Sequence, residues 1–187
     1  MNHLGTKRLT TERLILRKFK DEDAVMAFKN WTNDPEVTKF LTWPPHKYIA
    51  VTESYIDSVI DSYKEPDSYN WAIEVKETKE VIGTISVVQQ NTKIESVHIG
   101  YCIGKEWWHQ GYTSEAMARV IKFFMEKVEV NRVESRHDPR NENSGKVMMK
   151  CGMKYEGTIR QSDMNNQGVC DACWYGLLKE EYFNKEN

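Results

Sequence analysis

The first third of the chain alternates between helical spacing and polar breaks, and the middle shortens to a period of two. Residues 13–17, Arg-Leu-Ile-Leu-Arg, form an apolar run between charges and predict a strand. Ala24, Phe28 and Trp31 share one helical face over residues 21–31. Val51, Tyr55, Val59 and Tyr63 recur every four residues over 48–63, so both segments predict amphipathic helices. Asp34-Pro35 and Trp43-Pro44-Pro45 mark the loop between them. Trp71, Ile73 and Val75 then alternate with polar residues, as a half-buried strand requires. Residues 81–88 predict a second strand and residues 94–103 a third. Val97, Ile99, Tyr101 and Ile103 lie on one face of that third strand, with His98, Gly100 and Cys102 on the other.

Helical spacing returns in Ala116, Met117, Val120, Ile121, Phe124, Met125 and Val128, a continuous apolar stripe. A strand at 132–136, a short helix ending at Cys151, and two strands at 154–160 and 169–178 complete the chain. The Asn165-Asn166-Gln167-Gly168 turn joins the last two. The order β-α-α-β-β-β-α-β-α-β-β predicts a mixed α/β sandwich with an antiparallel meander at its centre.

Composition narrows the function. The length of 187 residues suits one domain, 1–187. A net charge of −2, with acids and bases interleaved, offers no basic stripe, so no nucleic-acid partner is expected. The opening MNHLGTKRLTTERL has no apolar run, so no signal peptide is expected. The longest apolar stretch is broken by Gly83, Thr84 and Ser86, so no membrane partner is expected either. The expected location is cytoplasmic. Cys102, Cys151, Cys170 and Cys173 then read as reduced thiols. Cys170 and Cys173 form a C-x-x-C pair without two further zinc ligands, so no metal is expected.

The chemistry concentrates at residues 107–116, Trp-Trp-His-Gln-Gly-Tyr-Thr-Ser-Glu-Ala, immediately before the apolar stripe. A helix N-terminus carries about four free N–H groups and about half a positive charge. Gly111 lets backbone approach a ligand closely, and Thr113 and Ser114 can cap the helix or bind an anion. A capped helix and an anion site both fit. Neither GxxxxGK[ST] nor GxGxxG occurs.

This stretch, the downstream Asn141-Glu142-Asn143-Ser144, Lys150-Cys151-Gly152-Met153 and Glu156-Gly157-Thr158-Ile159-Arg160, taken in order, resembles the GNAT N-acetyltransferase superfamily. The RimJ/RimL-like branch, the ribosomal-protein N-terminal acetyltransferases, is the nearest likeness. The resemblance covers Thr10 to Tyr182. It implies an α/β GNAT fold, a mixed and mostly antiparallel central sheet of about seven strands flanked by about four helices. It also implies acetyl-CoA as cosubstrate and direct acetyl transfer to a primary amine in a ternary complex. The acceptor would be a peptide N-terminus or a small-molecule amine, and the protein a monomer or homodimer. A β-bulge and splayed strand near Tyr101, Cys102 and Ile103 would pair with pantetheine. His109, Gln110, Gly111, Tyr112, Thr113 and Ser114 would hold the pyrophosphate, and Asn141 and Ser144 the far arm.

Transfer needs a neutral amine, charge stabilisation at the thioester oxygen and a proton for the leaving thiolate. Backbone N–H around Cys102 and Ile103 would stabilise the oxygen. His98 stands where the branch often has Glu, and reads either as the base or as a strand histidine touching solvent or substrate. Glu95 is a weaker candidate base. Met148 replaces the family's tyrosine acid, which leaves Ser144 as the acid. Trp107 and Trp108 read as packing anchors, and Cys102 and Cys151 as core. Trp43, Tyr48 and Trp71, with Pro44 and Pro45, line the acceptor side or pack in the core. The alternatives to this function are an antibiotic or toxin amine acetyltransferase and a catalytically weak CoA-sensing or partner-binding module.

Overall fold

The alternating segments meet in one eight-stranded sheet, in a computed structural model that describes residues 1–184. The last three positions of the expected domain 1–187 lie outside the described residues. The chain opens with β1 (Leu9–Thr10) and β2 (Leu14–Arg17). Next come α1 (Asp23–Ala27), which runs into a π-helical turn at Phe28–Thr32, then α2 (Pro35–Thr38) and α3 (Ile49–Ser62). The meander is β3 (Asn70–Val75), β4 (Val81–Asn91) and β5 (Ser96–Ile103). A 3-10 turn at Lys105–Trp107 leads to α4 (Tyr112–Phe123), which ends in a second π-helical turn, Phe124–Val128. The rest is β6 (Arg132–His137), α5 (Glu142–Lys150), β7 (Lys154–Asn165), β8 (Gly168–Leu178) and α6 (Lys179–Asn184). The strand beyond the expected seven is β1, whose two residues are too short to leave a periodic signal.

Strand order is β1-β2-β3-β4-β5-β6-β8-β7, and every pairing is antiparallel except β5 with β6. Helices cover both faces. Ala116, Met117, Val120 and Ile121 of α4 pack on Val97, Ile99 and Ile103 of β5 in the larger core cluster. Ala24 and Ala27 of α1 and Ile56 and Val59 of α3 pack on Ala72 and Cys102 from the opposite face. The two faces of β5 therefore divide as its alternation predicts.

Two readings are sharpened here. The inner face of α3 is Thr52, Ile56 and Val59, while Val51 is exposed. A strict four-residue repeat drifts about 40° per step around a 3.6-residue helix, so Val51 stands about 80° round from Val59, at the edge of the buried stripe. Trp71 does not line an acceptor site. It is 0% exposed, stacks on Tyr69, meets Phe123 and Phe124 edge-on, and donates its Nε1–H to Lys7 O at 2.7 Å. Tyr48 is 71% exposed at the start of α3.

Two irregularities shape the centre of the sheet. β5 and β6 pair over three rungs only, Ser96–Arg132, Val97–Val133 and His98–Glu134, and then part. On the other side of β5, Val87 faces Ile99 and Gln89 faces His98, so Val88 is the extra residue of a bulge in β4. A bulge bends and twists its strand. It lies opposite the point where β5 leaves β6, and not at Tyr101–Ile103, where the pairing with β4 is regular.

Candidate active site

The splay leaves one edge of β5 without a partner strand. Gly104 N–H donates to Ile82 O at 2.8 Å, so the backbone groups of Cys102 and Gly100, two and four residues earlier, also face β4. Those of Tyr101 and Ile103 face the open edge. Ser135 Oγ takes the first freed carbonyl, Ile99 O, at 2.7 Å, and Trp108 Nε1 takes Ile103 O at 2.9 Å. The N–H groups of Tyr101 and Ile103 and the carbonyl of Tyr101 are what the edge offers. Of the two residues expected to supply an oxyanion donor, the alternation favours Ile103. Cys102 instead buries its thiol among α1 and α3 residues, where burial pushes it up to about 12.

The N-terminus of α4 stands beside this edge. Gly111 adopts φ +81° as its N-cap, and no side chain caps the helix. Glu115, an acid in the first turn, is held by Thr11 Oγ1 at 2.5 Å, Arg13 N at 2.9 Å and Arg13 Nε at 2.7 Å. The first-turn amides of Tyr112, Thr113 and Ser114 thus have no side-chain cap, an arrangement that could receive an anion. A Cβ on Gly111 would lie 3.5 Å from Arg13 Nη2 and 3.8 Å from Lys150 Nζ, so two cations flank the helix entrance. His109 holds φ +61° in the loop before α4. Trp107 and Trp108 are half-buried against the main core, and Trp107 lies over Gly104.

Edge, helix end and α5 enclose a cleft of about 550 Å³. Tyr101, Cys102, Ile103, His109, Gly111, Thr113, Ser114, Asn141 and Ser144 all line it, together with Arg140, Lys146 and Lys150. Gln110, in the loop, and Tyr112, the first residue of α4, lie outside that lining. Gln110 Nε2 donates to Glu106 O, and the Tyr112 ring sits 4.3 Å under the Arg13 guanidinium. Open amides, a glycine entrance and several cations fit a pyrophosphate. Among the described residues no group of three or more His, Cys, Asp or Glu could hold a metal ion, and no helix is long and apolar enough to cross a membrane.

Ser144 lies in the first turn of α5, with Tyr101 Oη 2.9 Å from its Oγ and 2.9 Å from its carbonyl oxygen. Burial raises the Tyr101 phenol above its ordinary value, so it stays protonated. Asn141 caps α5 without a side-chain bond and faces the cleft. Buried Asp138 fixes this turn through Arg140 N at 2.8 Å, Arg140 Nη2 at 2.6 Å and Asn165 Nδ2 at 2.8 Å. Arg140 holds the Asp138 carboxyl well below the usual range. Met148 is wholly buried in the core. Cys151 donates to Ser114 O at 3.4 Å, and burial pushes it up to about 12.

His98 lies outside this cleft lining, on the opposite face of β5 and on the last rung before the splay. It is 4% exposed, and burial pushes it down to about 4, with Arg136 adding to the effect and Asp163 opposing it. Trp174 meets its ring edge-on at 5.4 Å and 86°. Glu95 sits in the turn before β5, where its carboxylate pairs with the Met1 ammonium, so it is committed at the far end of the strand.

Several groups around His98 escaped the sequence reading. Glu134 and Arg136 alternate with Val133 and Ser135, so a period-two reading of β6 could have placed them on the polar face. Trp174, and the Arg136–Asp163 pair at 2.6 Å, come from strands remote in sequence. Asn166, at the tip of the β7–β8 hairpin, donates to Thr38 O at 2.8 Å and Trp43 O at 2.7 Å, and its N–H to Leu41 O at 3.1 Å. These bonds tie the hairpin tip to the end of α2 and the loop that follows it.

A parallel pair that splays beside an uncapped helix N-terminus is the architecture of acetyl-transfer enzymes of the GNAT type. Residues 13–154 match the family model described as an acetyltransferase (GNAT) domain, and the chain belongs to that family. It is an N-acetyltransferase. It is similar to an uncharacterized N-acetyltransferase, p20, of Bacillus licheniformis, 34% identical over 177 residues, 93% of this chain and 97% of that protein. It is also similar to the ribosomal protein uS5-alanine N-acetyltransferase of Escherichia coli strain K12, 25% identical over 158 residues, 80% and 79% of the two chains. The structure of RimL, a ribosomal L7/L12 α-N-protein acetyltransferase in complex with coenzyme A, shares the fold. Its TM-score is 0.83 at 16% identity, covering 94% of this chain and 99% of that one.

Proposed function

We propose that this enzyme moves an acetyl group from acetyl-CoA directly to the α-amine of a peptide or to another primary amine of low basicity. The observation that carries the proposal is the open β5 edge set against the uncapped N-terminus of α4. An edge strand pairs with an extended amide chain, and the helix end binds phosphate oxygens. The relatives point the same way: one is named for an alanine acceptor, and RimL is seen with coenzyme A.

Acetyl-CoA, when bound, supplies an activated thioester carbonyl. The Ile103 N–H stabilises the charge that develops on the thioester oxygen. The Tyr101–Ser144 hydroxyl pair delivers a proton to the departing sulfur, with Ser144 as donor and Tyr101 behind it. His98 receives the proton released by the acceptor nitrogen.

Its low basicity decides which amines suit. An α-amine near pKa 8 is about one-tenth neutral at pH 7, a penalty of about 1.4 kcal/mol, whereas a lysine amine near 10.4 carries about 4.6 kcal/mol. A group near 4 would remove a proton from an α-ammonium only at about 5 kcal/mol uphill. Water therefore takes the first proton, and His98 acts only once bond formation makes the nitrogen acidic. That sequence favours acceptors already partly neutral, an α-amine over a lysine side chain.

Thiol release from acetyl-CoA against a panel of an alanine-initiated peptide, tyramine, spermidine, kanamycin and Nα-acetyl-lysine tests this. Turnover of the peptide well above Nα-acetyl-lysine is expected. Binding of acetyl-CoA without turnover on any amine would instead leave a CoA-binding module.

A further inference from the structure

His98 Nδ1 is buried and has no hydrogen-bond partner. A buried ring nitrogen left unpaired costs about 1–3 kcal/mol, so a structure that keeps one calls for a reason. The nearest carboxylate is Glu134, which faces His98 across the last rung of the parallel pair, with Oε1 4.0 Å from Nδ1. Arg132 Nε holds the other oxygen, Oε2, at 2.8 Å, and Glu156 in turn grips the Arg132 guanidinium. Oε1 is the oxygen with no such bond.

We propose that Glu134 is a positioning residue for His98: when an acceptor amine enters, Oε1 closes on Nδ1–H and leaves the Nε2 lone pair to take the amine proton. The gap is about 1 Å beyond an ordinary N–H···O bond, and such contacts are often loose before substrate binds. A small side-chain rotation closes it without disturbing the Arg132 contact. In the transfer, the amine nitrogen bonds to the acyl carbon as the C–S bond breaks. Nε2 takes the nitrogen's proton, and the sulfur leaves with one from the Tyr101–Ser144 pair, which solvent replaces. Glu134 stabilises the imidazolium so formed. Trp174 seals the pair from the open side, with the Arg136 guanidinium 5.2 Å over its ring. The charged groups facing His98 are thus Glu134 and Arg136 from β6 and Asp163 from β7, while β4 contributes uncharged Gln89 and β8 the indole.

The inference rests on His98 as proton acceptor, and the experiment separates the two. Glu134→Gln, assayed with the fastest amine of the panel above, is expected to lower kcat about 10- to 100-fold with acetyl-CoA affinity unchanged. Nitrogen-15 NMR of His98 in the wild-type enzyme, with coenzyme A and that amine bound, is expected to show the Nδ1–H tautomer. His98→Ala inactive beside a Glu134→Gln enzyme of wild-type kcat overturns the pairing alone. His98→Ala at wild-type kcat overturns the base itself. Should Glu134→Gln misfold, Glu134→Asp keeps the charge one methylene further back. Wild-type kcat in that variant, or the Nε2–H tautomer in the bound enzyme, overturns the proposal.

Discussion

Tyr101 Oη and Ser144 Oγ lie 2.9 Å apart, and this contact joins the splayed strand to the helix on the other side of the cleft. In the proposed mechanism the two hydroxyls act as one proton-donating unit, although they stand 43 residues apart in the chain. Ser144→Ala and Tyr101→Phe should each lower kcat by about 10- to 100-fold while acetyl-CoA affinity stays within about twofold. The double variant should be little worse than either single one, because groups acting as a unit are not additive. Rate losses that multiply would show two independent roles.

Gly111 tests the proposed pyrophosphate site. Its φ of +81° strains any side chain, and a branched one would extend into the helix entrance between Arg13 and Lys150. Gly111→Val is expected to weaken acetyl-CoA binding at least tenfold by calorimetry. Wild-type affinity in a folded variant would remove the pyrophosphate from this helix.

The burial of His98 predicts how stability responds to acid. Its folded value, about 4, lies below the ordinary 6.5, so the unfolded chain takes up this proton first as the pH falls. Stability from this group is full above about pH 6.5, falls through the window below it, and is lost by about pH 4. The total is on the order of 3 kcal/mol. Urea unfolding at pH 7 and pH 5 should show the wild type losing roughly 2 kcal/mol more than His98→Gln. Equal losses in the two proteins would mean that His98 titrates normally.

Asn166 tests whether the loop after α2, with Trp43, shapes the acceptor site. Asn166→Ala removes two side-chain bonds to the loop after α2, each worth about 1 kcal/mol at most. KM for the amine should rise severalfold with acetyl-CoA affinity unchanged. An unchanged amine KM would place the acceptor elsewhere.

How much of this was legible in the sequence depended on distance along the chain. The two faces of β5, the stripe of α4 and the glycine turn before it were readable, because each is written in neighbouring residues with a fixed period. Trp71 stayed open between the acceptor side and the core, because an aromatic on a half-buried strand looks the same whether it meets a helix or a ligand. Only the packing of Tyr69, Phe123 and Phe124 around it decides.

By itself the sequence determined the order of elements, the mixed sheet and the family, since local periodicity and four ordered motifs carry that information. The tertiary structure alone decided that Glu115 is held by Thr11 and Arg13 and that the α4 amides have no side-chain cap. It alone set Tyr101 against Ser144, brought Glu134 and Trp174 to His98, and tied Asn166 to the segment after α2. These are contacts between residues from 36 to 128 positions apart, made by a strand that leaves its parallel neighbour and by a hairpin whose tip bonds to that segment. No local pattern encodes such contacts, because the energy that forms them comes from packing whole elements together.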